Sequence, residues 1–411
     1  MAKVALFTLP AQKHLNPSMP FVQELASRGE AVTYYTLEPF RQIVEGAGAR
    51  FRPHADYGFS NEPLSKNEFR ISARLYDVTQ PIAEDLLPAL RQDPPDYIIH
   101  DSFCPWGKVL ASALGVPAIA SVHGMALNDT FFRKYSKVDR ETVFKSLRSL
   151  PPVIRMWRRA AQLRRHFTLP PPTLSEPMTN PEPLNLVYTS RLFHPVSESF
   201  DDSYKFVGPT IVPRAPVPFP IERIRGEGPP VVYIALGTVY HDNLDLYKNC
   251  VKALGGAPYR VALAVGPSTD PAKLGEIPEN IVVQRIVPQL EILQHADVFV
   301  SHGGMKSVNE SLYFDVPLVV VPQGVDQPVL AKRVAELGAG VVLTAEQSTP
   351  LQLRSAVDKI VNEPSYRQQA RVVGASLREA GGYVRAVDEV MTYTRQQGIG
   401  KTSSLQPPEA T

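Results

Sequence analysis

Two short windows of the chain carry residues able to do chemistry together. The apolar run Val298 to Ser301 passes into His302-Gly303-Gly304, and a helical pattern begins near Ser307. Free backbone N–H groups and the positive end of a helix then point at one place, which suits a phosphate. Glycine lets the main chain come close to a diphosphate, while His302 can donate a hydrogen bond and Ser307 offers a hydroxyl. Glu310 lies one helical turn beyond Ser307 on the same face, where its carboxylate can accept from both hydroxyls of a ribose. Asp326-Gln327 follows the apolar run Leu318 to Val321 and Gly324, on a loop where a carboxylate and an amide can read sugar hydroxyls.

Far upstream, His14 stands in LPAQKHLNPSMP, on the loop expected between the first strand, Val4 to Leu9, and a helix from Ser18 to Arg28. An imidazole near its ordinary pKa can remove a proton from a hydroxyl as that oxygen forms a new bond, which contributes roughly 10² to 10⁴ in rate. Such a base needs a partner to fix its tautomer and hold its charge. Asp101 ends the buried run Tyr97 to His100 within HDSFCPWGK, at the same sheet edge as His14. His100 and His123 read as structural. Each residue alone has a plainer reading: a turn for the glycine pair, an exposed helix carboxylate for Glu310, a local cap for His14. Their joint spacing favours chemistry.

These side chains need a parallel sheet to present them. Short apolar runs alternate with helical patterns: Ala31 to Thr36, Pro39 to Gly46, Tyr97 to His100, Trp106 to Leu114, then Val231 to Leu236, Tyr259 to Val265, Ile281 to Val283, Val298 to Ser301 and Leu318 to Val321. That rhythm is α/β, with helices covering parallel strands. Pro213, Pro216, Pro218 and Pro220 mark a stiff linker between two such domains. The division is residues 1–210, a linker at 211–230, a second domain at 231–381, a helix at 382–396 packing back on the first domain, and a disordered tail at 397–411. Two Rossmann-like sheets facing a central cleft would bring the carboxyl ends of their strands to either side of a ligand. From Asp129 to Pro183 the pattern is irregular and reads as an insertion shaping a pocket, with Phe131, Phe132, Met156, Trp157 and Phe167 either lining it or packing.

A chain of 411 residues suits two domains. With 43 Lys and Arg against 41 Asp and Glu, it lacks the basic field of a nucleic-acid binder. The local basic cluster RMWRRAAQLRR, Arg155 to Arg165, reads as a solvated helical face. Cys104 and Cys250 are too few and too separated for a disulfide framework or a zinc site. Neither a signal peptide nor an apolar stretch of about 18 to 20 residues is present, so no membrane span and a cytoplasmic location are expected.

The window Val287 to Gly340, VPQLEILQHADVFVSHGGMKSVNESLYFDVPLVVVPQGVDQPVLAKRVAELGAG, resembles the donor-binding signature of the UDP-glycosyltransferase family, in its bacterial macrolide glycosyltransferase branch. The resemblance implies a GT-B fold and an inverting, metal-independent enzyme with no cofactor. Such an enzyme moves a sugar, by default glucose from UDP-glucose, to a hydroxyl of a small hydrophobic acceptor such as a macrolide, polyketide, flavonoid or other phenolic. Residues 1–210 would bind the acceptor and 231–381 the nucleotide sugar. His14 matches the family's catalytic base and Asp101 its dyad partner. His302, Gly304, Ser307 and Thr238, the last within Gly237-Thr238, match the diphosphate ligands. Glu310 matches the ribose position, Asp326 and Gln327 the donor-sugar contacts, and Val287 and Gln289 the grip on the base. Two positions depart from the pattern. Ile286 replaces an aromatic that commonly stacks on uracil. Lys306 stands where relatives commonly place Asn, and its ammonium can pair with the diphosphate, pair with an acidic donor sugar, or face solvent.

Two other readings share parts of this pattern. A nucleotide-sugar 2-epimerase uses the same fold, but His14 with Asp101 and the long donor window speak against it. A non-catalytic antibiotic-binding protein would need no donor site, whereas Ser307, Glu310 and Gln327 are all in place.

Overall fold

A computed structural model describes residues 1–59, 68–135, 140–169, 176–237, 243–324 and 326–399. Its strands are β1 (Lys3–Phe7), β2 (Ala31–Thr36), β3 (Arg50–Pro53), β4 (Tyr97–Asp101), β5 (Ala118–Val122), β6 (Leu184–Val187) and β7 (Tyr204–Phe206), then β8 (Val231–Ala235), β9 (Arg260–Ala264), β10 (Ile281–Gln284), β11 (Val298–Ser301), β12 (Leu318–Val320) and β13 (Gly340–Val342). They form two sheets, ordered β3-β2-β1-β4-β5-β6-β7 and β10-β9-β8-β11-β12-β13. Every pairing is parallel.

The chain divides into two compact units. One comprises Met1–Tyr188, Ser199–Val207 and the chain from Tyr383; the other comprises Thr189–Glu198 and Gly208–Gly382. Thus the proline-rich stretch 211–230 belongs with the second unit, and so does the short segment 189–198. In the first unit, one face of the sheet buries Leu15, Phe21 and Leu25 of the helix Gln12–Ser27 together with Ala386, Val387 and Val390 of the helix Gly382–Gln396. The other face buries Ile82, Leu86, Trp106 and Leu110 from the helices Glu68–Gln92 and Pro105–Leu114. The second unit packs Tyr247, Val251, Val357 and Ile360 against β8, β9 and β11. Among the described residues no helix is long and apolar enough to cross a membrane.

Local structure departs from the sequence expectation in several places. His14 is not on a loop: the helix starts at Gln12 and carries Pro17 and Pro20 inside it. Proline removes a helix donor and disfavours helical backbone in the residue before it, which is why Asn16-Pro17 reads as a boundary. Tertiary packing overrides that signal. Leu15 is fully buried, and the Ser18 hydroxyl donates to the Leu15 carbonyl at 2.8 Å and meets Tyr34 Oη at 3.0 Å, itself 2.7 Å from Thr8 Oγ1.

The basic helical pattern of the insertion is borne out as one 28-residue helix, Arg140–Phe167, which runs on through Pro151 and Pro152. Its Met156, Ala160 and Leu163 pack on Ala73 and Tyr76, with Trp157 and Phe167 beside them, so this aromatic set packs at least in part. Arg155 and Arg159 of the basic cluster pair with Asp77, and Arg164 pairs with Glu176. Of the tail at 397–411, residues 400–411 lie outside the described residues.

One glycine fixes how the helix Pro105–Leu114 sits under β4. A Cβ on Gly107 would come 2.3 Å from the Cβ of His100, the neighbour of Asp101. Gly107→Ala therefore forces helix and strand apart, a destabilisation of about 2 kcal/mol. The expected outcome is a fall of roughly 4 to 8 °C in the melting temperature of the first unit, read by calorimetry.

Candidate functional site

In each sheet the strand order reverses once, between β1 and β4 in the first unit and between β8 and β11 in the second. At such a point the connections leave in opposite directions, and the carboxyl ends of the two strands open a crevice. His14 and Asp101 meet at the first of these places, and His302 and Gly304 at the second.

In the first unit Phe7 pairs with His100, so the residues that follow β1 and those that end β4 are neighbours. His14 sits in the first turn of its helix, its amide donating to the Ala11 carbonyl at 2.9 Å. Its Nδ1 lies 2.7 Å from Asp101 Oδ2. Asp101 is fully buried, and its other oxygen accepts from the Phe103 amide at 2.9 Å. Burial works to raise the Asp101 pKa, but the charge and hydrogen bond of His14, the nearby His123 and the Phe103 amide outweigh it, leaving the pKa below its ordinary 3.8. An ionised carboxylate only accepts, so Nδ1 carries the proton and Nε2 is left as the basic nitrogen.

The Phe103 ring meets His14 edge-on at 5.5 Å. His123 stands 6.4 Å from His14 and stacks on Tyr188 at 4.7 Å, so it borders the pair directly. His100 faces elsewhere, with Nε2 2.9 Å from Glu182 Oε1. This is a structural setting.

In the second unit Ala235 pairs with Ser301, which places Gly237 beside His302. A Cβ on Gly237 would lie 2.6 Å from His302 Cε1, and one on Gly304 would lie 2.6 Å from His302 Nε2. Both glycines leave room for the imidazole. Gly303 adopts φ of +85°, and a Cβ there would strike Val320 at 2.6 Å. Gly304 is the N-cap of the helix Met305–Tyr313, without a side-chain cap, so the first amides of the helix are not capped by its own N-cap side chain. Ser307 lies in its first turn. Thr238 lies outside the described residues.

Burial lowers the His302 pKa to about 4, although the Ala235 carbonyl works the other way. The imidazole is neutral at pH 7 and can donate one hydrogen bond. Lys306 is exposed at its surface, yet loss of water contact and the neighbouring Arg214 lower its pKa while Glu310 raises it. Its ammonium therefore shares the field of both groups.

Glu310 is 1% exposed, against the expectation for a helix carboxylate facing water. Gln289 Nε2 donates to Glu310 Oε2 at 2.6 Å, and Tyr233 donates to Gln289 Oε1 at 2.9 Å. Arg214 donates to the other carboxylate oxygen, Oε1. The structure thus joins the candidate base contact Gln289 to the candidate ribose contact Glu310 and adds two residues not foreseen. Arg214 is one of three arginines in the proline-rich stretch 211–230, and Tyr233 lies within a buried strand; neither has a local pattern that marks it. Val287 is buried nearby in sequence, while Ile286 is 58% exposed.

Gln327 begins the helix Gln327–Glu336, with Asp326 as its N-cap residue. The Gln327 carbonyl Oε1 accepts from the Gln323 amide at 2.7 Å, and its Cβ would lie 3.8 Å from a Cβ at Gly303. Gln327 is thereby held against the His302-Gly303-Gly304 turn.

The chain is similar to known glycosyltransferases. Residues 260–379 match the family described as Erythromycin biosynthesis protein CIII-like, C-terminal domain. The chain is 32% identical over 406 residues to an uncharacterised UDP-glucosyltransferase, YojK, of Bacillus subtilis, covering 97% of this chain and 98% of the relative. It is 30% identical over 421 residues to the oleandomycin glycosyltransferase of Streptomyces antibioticus, covering 97% and 94%. The crystal structure of the glycotransferase of kitacinnamycin superposes with a TM-score of 0.82 at 28% identity, covering 96% and 98%.

The depressed pKa of His302 makes a stability prediction. Between pH 6.5 and about 4 the unfolded chain binds a proton at this residue that the folded chain refuses. Its contribution is complete above pH 6.5 and is lost as the pH falls through about 4, up to roughly 3 kcal/mol. Unfolding free energies of wild type and His302→Gln, measured from pH 7 to 4, should shift by that amount in favour of the variant.

Proposed function

The chain belongs to the UDP-glycosyltransferase family, in its bacterial macrolide glycosyltransferase branch, and from that premise we propose that it is an inverting transferase, with His14 as its base. In this reading it moves a sugar from a nucleoside diphosphate to a hydroxyl on a small hydrophobic acceptor. The observation that carries the reading is the 2.7 Å hydrogen bond between His14 Nδ1 and the buried Asp101 carboxylate. It leaves Nε2 as the nitrogen that takes the proton.

The acceptor oxygen attacks the anomeric carbon on the side opposite the diphosphate. As the new carbon–oxygen bond forms, the hydroxyl proton passes to His14 Nε2, and the imidazolium is steadied by Asp101. The bond between the anomeric carbon and the diphosphate breaks, and the leaving oxygen keeps the electron pair. Its charge is taken up by the neutral His302, the Gly304 amide, Ser307, Thr238 and the end of the helix Met305–Tyr313. Lys306 adds a cation at the same end. These groups do the work a metal does in other transferases, so the reaction is proposed to need neither metal nor cofactor.

Within the donor, Glu310 receives the ribose hydroxyls, Val287 and Gln289 hold the base, and Asp326 and Gln327 read the sugar. UDP-glucose is the proposed donor, supported by the name of the Bacillus subtilis relative. Ile286 offers the base an aliphatic contact in place of stacking. The oleandomycin relative supports a macrolide, another polyketide or a phenolic compound as acceptor. The place of action is proposed to be the cytoplasm.

The test follows glycoside formation by mass spectrometry, with UDP-glucose and a panel of macrolides, flavonoids and simpler phenolics. His14→Ala is expected to lower the rate by about 10² to 10⁴, and Asp101→Asn by a smaller factor, on the order of tenfold to a hundredfold. Product formed equally well by His14→Ala removes the base from this role. Activity unchanged by EDTA is the expected result for the metal, and its loss, restored by a divalent cation, refutes that part.

A further inference from the structure

The Glu310 carboxylate has three protein neighbours whose arrangement says more than its burial. Gln289 donates to Oε2 and Arg214 to Oε1, while Tyr233 holds the Gln289 amide from behind and stacks on Phe299 at 4.5 Å. A carboxylate presents about four lone-pair positions, two on each oxygen. Among the described residues, one on each is taken and one on each remains, which matches the two hydroxyls of a ribose.

We infer that Arg214, reaching from the proline-rich segment, is a positioning and specificity residue of the donor site: together with Gln289 it holds the Glu310 carboxylate ready for a ribose diol. The inference rests on the reading above, in which Glu310 accepts the ribose hydroxyls. Three features of the chain support it. Glu310 is almost completely buried, and a buried carboxylate without a cation is costly, so the guanidinium compensates its charge. Arg214 keeps its side chain 40% exposed, so it balances that charge from the solvent margin without filling the site. Pro213, Pro216, Pro218 and Pro220 restrict the backbone on both sides, which limits how far the guanidinium can wander.

Arginine suits the task better than lysine. Its planar fork directs an N–H at one oxygen while leaving the second donor free to stay hydrated. Lys306, which shares the same field, supplies a point charge without that directionality.

The experiment is calorimetric titration of the full chain, wild type, Arg214→Ala and Arg214→Lys, with UDP and with 2′,3′-dideoxy-UDP, and of wild type also with dTDP. Wild type is expected to prefer UDP. Arg214→Ala should weaken UDP about tenfold or more while changing the dideoxy nucleotide less than about threefold, and Arg214→Lys should recover part of the loss. In turnover, Arg214→Ala should raise the KM for the nucleotide sugar by more than it lowers kcat. Equal weakening of both nucleotides overturns the inference, because Arg214 would then act on the diphosphate. So does UDP binding that is unchanged or tighter in Arg214→Ala, the latter marking Arg214 as a competitor of the ribose. Wild type that binds the two nucleotides alike removes the ribose role of Glu310 itself. Wild type that binds neither UDP nor dTDP overturns the donor reading as a whole.

Discussion

Everything chemical in this chain depends on two reversals of strand order. A parallel sheet puts all its carboxyl ends on one edge, and helices cover both faces, so side chains from several strand ends can meet at that edge. Where β1 meets β4, the chain leaves toward opposite sides and leaves space for the His14 and Asp101 side chains. Where β8 meets β11, the same arrangement leaves space for the His302 imidazole between Gly237 and Gly304. Each unit therefore gathers its histidine at the same topological feature. The glycines matter because an extra methyl group would fall where the imidazole already is.

Two buried carboxylates are the costly elements, and they are compensated in different ways. Asp101 has an imidazole on one oxygen and a backbone amide on the other, both from residues close to its own strand. The ionised carboxylate restrains the imidazole to one tautomer, with the proton on Nδ1. Glu310 is balanced by an amide from the start of one helix and by a guanidinium from a proline-rich stretch distant in sequence. Among the described residues these partners occupy one lone pair on each of its oxygens. The hydroxyl cluster of Thr8, Tyr34 and Ser18 works at the next layer, tying the helix that bears His14 to the strands below.

Much of this architecture was legible in the sequence because a parallel strand buried on both faces, such as Val298 to Ser301, reads as a continuous apolar run, and that run coincides with β11 end to end. Ala31 to Thr36, rich in β-branched and aromatic residues, coincides with the half-buried β2, and the helix Gly382–Gln396 matches its expected span. The strands β3, β7 and β13 were not legible, since Arg50–Pro53 and Tyr204–Phe206 carry polar residues on partly exposed ladders and Gly340–Val342 is only three residues long. The buried strands β5 and β6 were not read either, Ala118–Val122 carrying Ser121 and Leu184–Val187 carrying Asn185 in short runs. The start of the helix at Gln12 was also hidden, because Pro17 and Pro20 signal a break that the buried Leu15 and Ser18 overrule.

The sequence by itself determined which residue types stand at the two strand ends: a histidine after β1, an aspartate ending β4, and a histidine with two glycines before a helix. Those types are local, and their chemistry follows from spacing along the chain. Only the tertiary structure decided how they are partnered. Gln289 and Glu310 are assigned by motif to different parts of a donor, yet fold into one hydrogen-bonded pair. Arg214 reaches Glu310 across 96 positions of sequence, from a stretch whose composition suggests nothing but stiffness. Compensation of a buried charge is set by distance in space, and no periodicity along a chain encodes which distant cation will arrive.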